Sequence, residues 1–289
     1  MPDILEAIAA RRKERIAKEK AQKPLDVHAL LDQGLPSHPS FYQALQKEGL
    51  SYICEIKKAS PSKGIIAKTL DPARLAREYE AAGAAAISVL SEPDFFLGSD
   101  ENVRKAIAAC SLPVLRKDFV VDPYMILQAA AMGASAVLLI VSLLTPLQLK
   151  ENLQLCDRLN LDALVECRTP KEIETAIQAG AKILGVNNRS LRDFSVDPGH
   201  AASLLAGLDQ PGLVLVCESG MHTPADIALQ KEAGMDAVLI GEALMKAENK
   251  AQILRHLDGQ PTPQPDALKD AAKSLLPVCE AGNEAGDRP

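Results

Sequence analysis

Eight short apolar runs recur along the chain, and this repeat constrains the fold more than any other feature. They are Tyr52–Ile56, Ala85–Leu90, Leu112–Leu115, Ala136–Val141, Asp162–Val165, Ile183–Val186, Leu213–Cys217 and Ala237–Ile240, with starts 21 to 33 residues apart. One strand, one helix and two loops fill that spacing. The intervals hold helix candidates at Pro72–Ala82, Asn102–Ala109, Pro123–Met132, Pro146–Leu159, Pro170–Ala179 and Pro224–Ala233. Four of these end in one local grammar: Ala-Ala-Gly-Ala at 81–84, Ala-Met-Gly-Ala at 131–134, Gln-Ala-Gly-Ala at 178–181 and Glu-Ala-Gly-Met at 232–235. Glycine just past a helix adopts the left-handed conformation that stops it, and proline favours the first turn. Strands separated by helices run parallel through right-handed crossovers. An open doubly wound sheet and a closed barrel both satisfy this. Eight strands, with no G-x-G-x-x-G after the first, favour the α/β class as a (β/α)8 TIM barrel.

A barrel of this kind takes about 250 residues, and the chain has 289. Residues 1–50 are expected as a helical N-terminal extension packed on the barrel, 51–250 as the barrel and 251–289 as a tail. Ile4 to about Lys23 reads as a charged helix with apolar Ile4, Leu5, Ile8 and Ile16. A break over 30–39 precedes a short helix at Ser40–Gln46. Ala251–Leu257 reads as an extension of the last helix, which the Pro-rich tract 259–265 cannot continue. Leu275, Leu276 and Val278 form one apolar cluster, and 280–289 are expected to be disordered.

Thirty-two basic against 38 acidic residues leave a net charge of −6. That balance argues against a general nucleic-acid binder and leaves a small anionic ligand open. Basic residues crowd positions 11–23, but Glu6, Glu14 and Glu19 are interspersed and no apolar h-region follows, so no secretory signal is expected. The uncharged stretch Pro123–Leu149 breaks at Gly133-Ala134-Ser135 and reads as buried core, not a membrane span. Six cysteines without C-x-x-C read as free thiols in a reducing cytoplasm. Five histidines show neither H-x-x-x-H nor H-E-x-x-H, so no metal is expected. A monomer is expected, with a weak dimer left open.

Chemistry in such a barrel belongs to the C-terminal strand ends. The first run ends in Glu55-Ile56-Lys57, and a period of two turns Glu55 and Lys57 the same way. The third leads into Arg116-Lys117-Asp118, the fifth into Glu166 and the sixth into Asn187-Asn188-Arg189. The seventh leads into Glu218-Ser219-Gly220 and the eighth into Gly241-Glu242. Lysines among carboxylates shift in pKa and serve as acids or bases. The last two loops, with Ser60-Pro61-Ser62-Lys63-Gly64 after the first run, suggest a phosphate cradle of backbone N–H groups and hydroxyls. Phe95-Phe96, after the second run, suggests a lid or wall for a flat ligand.

The motif Glu55-Ile56-Lys57-Lys58-Ala59-Ser60-Pro61-Ser62-Lys63-Gly64 resembles the first-strand signature of the indole-3-glycerol phosphate synthase family. The resemblance continues through Pro113-Val114-Leu115-Arg116-Lys117-Asp118-Phe119, Leu164-Val165-Glu166, Gly185-Val186-Asn187-Asn188-Arg189, Glu218-Ser219-Gly220 and Ile240-Gly241-Glu242-Ala243-Leu244-Met245. It spans about residues 3 to 250. It implies conversion of 1-(2-carboxyphenylamino)-1-deoxyribulose 5-phosphate into indole-3-glycerol phosphate, CO2 and water, with no cofactor or metal. By that resemblance Lys117 would be the general acid of ring closure, and Glu166 a carboxylate that stabilises charge and helps proton transfer. Lys57 would hold the substrate carboxylate and is a second candidate acid, for dehydration. Glu55 would tune both lysines, and Asn187 would fix the substrate hydroxyl and anilino region. Glu218 and Arg189 would support that layer. Ser60, Ser219, Gly220, Gly241 and Glu242 would bind phosphate, and Phe95 and Phe96 would flank the aromatic ring. Which lysine donates in which step is left open. The rival resemblance, phosphoribosylanthranilate isomerase, would call for a cysteine–aspartate pair where this chain offers Glu55 and Lys57. A non-catalytic barrel would lack one or more charged mouth residues, and none is missing.

Overall fold

The computed structural model describes residues 4–190, 194–208 and 210–261. The eight runs form strands β1 (Ser51–Ile56), β2 (Ala86–Leu90), β3 (Val114–Lys117), β4 (Ala136–Ile140), β5 (Asp162–Cys167), β6 (Ile183–Asn187), β7 (Val214–Glu218) and β8 (Ala237–Ile240). Neighbours pair in parallel, and Ser51 opposite Ala237 joins β8 to β1 and closes the barrel. Four strands extend one or two residues beyond their apolar runs. Lys117, Glu166, Asn187 and Glu218 are therefore strand residues, held opposite Leu90, Ile140, Glu218 and Asn187 in the ladder. Regular pairing carries these polar groups into the barrel mouth on rigid backbone.

Three helices precede the barrel: α1 (Ile4–Gln22), α2 (Val27–Gln33) and α3 (Phe41–Leu45). Crossover helices follow the strands as α4 (Pro72–Ala81), α5 (Asp100–Ile107), α6 (Tyr124–Met132), α7 (Pro146–Arg158), α8 (Pro170–Ala179), α9 (His200–Leu205) and α10 (Pro224–Glu232). After β8 come α11 (Glu242–Lys246) and α12 (Lys250–Leu257). Local chemistry explains the starts. Asp71, Thr145, Thr169 and Thr223 each accept the third helical N–H, with proline in the first turn. At the ends, Gly133 and Gly180 take left-handed φ values of 80° and 95°.

Two helical stretches differ from the expectation. Positions 30–33 belong to α2 and not to a break, because the Asp26 side chain accepts from Ala29 N at 2.9 Å and nucleates the turn. Helix α12 is separate from α11, because Asn249 starts a new cap by accepting from Gln252 N at 3.0 Å. The apolar cluster at 275–278, Cys279 and most of the expected tail lie outside the described residues.

The period of two splits each strand between two cores. Outward residues pack against the crossover helices, while Ile53, Ala86, Leu115, Leu138, Leu164, Ile183, Val216 and Leu239 fill the interior. Residues 124–141 are mostly buried core as expected, whereas residues 145–148 at the start of α7 are exposed, with Leu147 at 65%, and no described helix is long and apolar enough to cross a membrane. The N-terminal segment adds to the interior from both ends. Helix α3 inserts Phe41 and Leu45, each 0% exposed, a burial that contributes about 1.5–3 kcal/mol per side chain. Its hydrogen bonds fix it at the N-terminal strand ends: Tyr42 N donates to Asp162 at 2.9 Å, and Tyr42 OH to Gly212 O at 2.7 Å. Helix α1 brings Leu5 and Ile8 to the opposite end. It is fastened by Arg12 to Asp118 at 2.9 Å, Arg15 to Asp94 at 2.6 Å and Lys20 to Asp122 at 3.2 Å.

Candidate active site

The mouth of the barrel opens into a cleft of about 1100 Å³, measured with its open side. Alternation along β1 buries Ile53 in the interior core and aims Glu55 and Lys57 above it, as the spacing predicts. The Lys57 ammonium is ion-paired with Glu55. From β3, Lys117 reaches across the barrel floor. Its Nζ donates to Glu218 Oε2 at 2.9 Å and to Glu55 Oε2 at 3.1 Å. Arg116 and Asp118, on either side of Lys117, pair with each other at 3.5 Å and join the network that holds α1. One residue of alternation thus separates a chemical group from a structural pair.

Burial and charge set the protonation states. Burial alone would raise the Glu55 pKa, but the charges of Lys57 and Lys117 bring it down to about 2. Burial works against the Lys117 ammonium, yet Glu218, Glu55 and Glu166 together raise its pKa and keep it cationic. Glu166 goes the other way. Burial and the charge of Glu218 raise it to about 8, against the opposing pull of Lys117 and Asn187. It is therefore largely protonated at neutral pH and able to donate. Asn187 Nδ2 donates to Glu166 Oε1 at 3.4 Å, while Asn187 Oδ1 accepts from Arg189 N at 3.0 Å. Arg168 braces the same loops by donating from Nη1 to Arg189 O at 2.7 Å.

One side of the cleft suits an anion. Ser60, Ser219, Gly220 and Glu242 line it, with Lys63 paired to Glu242 across the mouth at 3.7 Å. Ser219 has φ of 65°, unusual for a non-glycine residue, and Asn188 Nδ2 holds its carbonyl at 3.2 Å. Another part of the wall is apolar and aromatic. Phe96 and Phe119 pack with ring centroids 5.8 Å apart, and Leu5 and Ile8 of α1 close over them. The buried Glu92 side chain fixes the Phe96 loop by accepting from Asp94, Phe95 and Phe96 backbone N–H groups at 2.7–3.0 Å.

Most of the residues singled out in the sequence line this one cleft: Glu55, Lys57, Ser60, Phe96, Lys117, Glu166, Asn187, Arg189, Ser219, Gly220 and Glu242. Three do not. Phe95 packs partly buried against the interior core beside it. Glu218 is 0% exposed and acts on the cleft through Lys117. Gly241 lies behind Glu55, whose carboxylate occupies the space of its missing Cβ, with Lys57 Nζ 3.1 Å from the same point. Sequence reasoning missed Leu5, Ile8, Phe119 and Phe194 as wall residues. Phe119 was legible, two residues beyond Lys117. The wall formed by α1 was not, because it depends on how that helix docks. His222 lines the cleft from an exposed position. Among the described residues, no three His, Cys, Asp or Glu side chains are grouped to hold a metal ion.

Comparison with known proteins agrees with this geometry. Residues 5–257 match the family model for indole-3-glycerol phosphate synthase. The indole-3-glycerol phosphate synthase of Lachnoclostridium phytofermentans is 45% identical over 267 residues, covering 88% of this chain and 98% of the relative. That of Chlorobium phaeovibrioides is 47% identical over 242 residues, covering 83% and 93%. Among solved structures, thiamine phosphate pyrophosphorylase from Pyrococcus furiosus superposes with a TM-score of 0.53 at 15% identity, covering 76% of this chain and 96% of that one. That likeness concerns the barrel fold alone. With its motifs, its barrel and its relatives in agreement, this chain belongs to the indole-3-glycerol phosphate synthase family.

Proposed function

We propose that the protein closes the indole ring of 1-(2-carboxyphenylamino)-1-deoxyribulose 5-phosphate, yielding indole-3-glycerol phosphate, CO2 and water. The observation that carries this reading is the buried Lys117 ammonium, held by Glu218 and Glu55 and facing a raised-pKa Glu166. The phosphate is received beside Ser60, Ser219, Gly220 and the Glu242 backbone, and the aromatic ring lies against Phe96 and Phe119. Lys57 holds the substrate carboxylate. The ring carbon bearing that carboxylate attacks the ketone carbon, and Lys117 delivers a proton to the ketone oxygen as the new bond forms. Glu55 and Glu218 keep that ammonium charged and aimed, so its stabilisation of the developing oxyanion needs little reorganisation. CO2 then leaves, and the electron pair of the broken bond restores the aromatic ring. The new hydroxyl departs as water after taking a proton from Glu166, and the Glu166 carboxylate so formed takes a proton from the adjacent carbon, whose electron pair completes the double bond. Lys57 is the second candidate donor for that step. Asn187 orients Glu166, and Arg189 supports Asn187. The protein is read as a cytoplasmic monomer without nucleic-acid or membrane partners, in keeping with its net charge and with the five free cysteines among the described residues.

Purified protein with this substrate, followed by indole fluorescence, tests the reading. Wild-type turnover is expected, with Lys117→Ala lowering kcat/KM by about 10²–10⁴-fold. Absence of turnover by well-folded wild type overturns the reaction. Equal turnover by both proteins moves the acid to Lys57.

A further inference from the structure

Gly185 occupies the inward position of β6 between Ile183, in the interior core, and Asn187, in the cleft. Glycine is a poor strand residue, so its place there calls for a reason. Conformation does not supply one, because Gly185 is not among the positive-φ glycines and any residue could take its backbone geometry. Space does. A Cβ on Gly185 would lie 2.6 Å from Glu218 Oε1 and 3.1 Å from Leu164 Cδ1. The first separation is far inside contact distance. Glu218 is fully buried on the neighbouring strand β7, its Oε2 bound to Lys117 Nζ at 2.9 Å. Its Oε1 has no hydrogen-bond partner among the described residues and lies over the Gly185 backbone. The same relation recurs just after β8, where Gly241 leaves room for the Glu55 carboxylate. Both carboxylates that grip Lys117 thus rest against a bare backbone position, one within the adjacent strand β6 and one just past the end of the adjacent strand β8.

We propose that Gly185 is a positioning residue: its missing side chain seats the Glu218 carboxylate beneath Lys117 and so places the ammonium in the cleft. The inference rests on the reading of Lys117 as proton donor. Gly185→Ala pushes Glu218 out of its seat and costs chemistry more than binding, because the phosphate and aromatic ring are held elsewhere. A double-mutant cycle with Glu218→Asp, which shortens the carboxylate by one methylene, tests it. G185A is expected to lower kcat about tenfold or more with KM changed less than about threefold, and to cost less than about threefold in kcat when E218D is already present. An equal loss in both backgrounds overturns the proposal.

Thermal melts provide a readout free of catalysis. G185A should lower the melting temperature of wild type clearly, and that of E218A little, since the methyl group then fills vacated space. If G185A does not fold alone, G185A/E218A should recover soluble protein. A double variant that is also insoluble, or that melts as far below E218A as G185A melts below wild type, rules the seat out. Inert wild type would sink the reaction while leaving these melts to decide the role of Gly185.

Discussion

Glu55 and Glu166 are carboxylates of one cleft driven to opposite protonation states, and each leaves a different signature in pH. Glu166 moves from an ordinary 4.5 to about 8, so the folded chain keeps a proton that the unfolded chain releases. Its contribution to stability is complete below about pH 4.5 and is lost as pH rises toward 8. Catalysis that uses the Glu166 proton should fail over the top of that range. The expected kcat falls as pH rises through about 8, and Glu166→Gln should remove the loss in denaturation midpoint between about pH 4.5 and 8. A kcat that stays level to pH 9.5 or so would exclude Glu166 as the donor. Glu55 behaves in reverse. Its pKa is depressed to about 2, so its stabilisation is present above the ordinary carboxylate range and disappears as pH falls from about 4.5 to 2. Acid denaturation monitored by circular dichroism should show a shallower loss over that interval in Glu55→Gln. At this scale the sequence was informative about which residues meet. Alternation alone turns Glu55 and Lys57 into one cleft, and strand spacing brings in Lys117 and Glu166. Charge state was not legible, because it depends on burial and on partners such as Glu218, 101 residues from Lys117. The seat at Gly185 was hidden for the same reason, since a void is defined by its neighbours.

Helix α1 shows how an element can be legible while its purpose is not. Its apolar positions predict a helix lying on the edge of something larger. The partners that dock it, Asp118, Asp94 and Asp122, are 106, 79 and 102 residues away and follow no local pattern. The Arg12–Asp118 pair is the buried member, with side chains 3% and 0% exposed. Removing Arg12 leaves Asp118 with Ser91 Oγ at 2.8 Å and Arg116 at 3.5 Å, so the carboxylate is not abandoned. Arg12→Ala is therefore expected to cost about 1.5–3 kcal/mol, the value of a charged hydrogen bond, read as a lower urea midpoint at unchanged slope. Because Leu5 and Ile8 of α1 wall the cleft, the same variant should raise KM more than it lowers kcat. An unchanged KM would mean that the wall does not depend on this anchor. Helix α2, by contrast, has a weak helical sequence, and a single capping aspartate outweighs it.

At the scale of the whole molecule, the repeat of eight runs made the barrel readable before any tertiary detail was known. Parallel strands, helix stops and crossover lengths all pointed to one architecture. Closure itself was not readable: it rests on the β1–β8 register, which joins residues 186 positions apart. Among the described residues, every barrel strand and helix ends by Leu257, where the family match also ends. A chain stopped after Pro261 is expected to keep its melting temperature and its turnover within about twofold, since it retains the whole of the family match and all the described strands and helices. A larger loss would assign the remaining residues a part in the fold or the reaction.

The plug formed by α3 has a consequence for synthesis. Phe41 and Leu45 belong to the interior of a barrel whose final strand is made roughly 200 residues later, on the order of 10–40 s at ordinary rates of translation. Through that interval the nascent chain carries a greasy pair with no permanent home, and its last stave must arrive before its first stopper can be seated. The portion born first is thus among the last to reach its place, so the time spent on the ribosome is a period of exposure as well as of assembly.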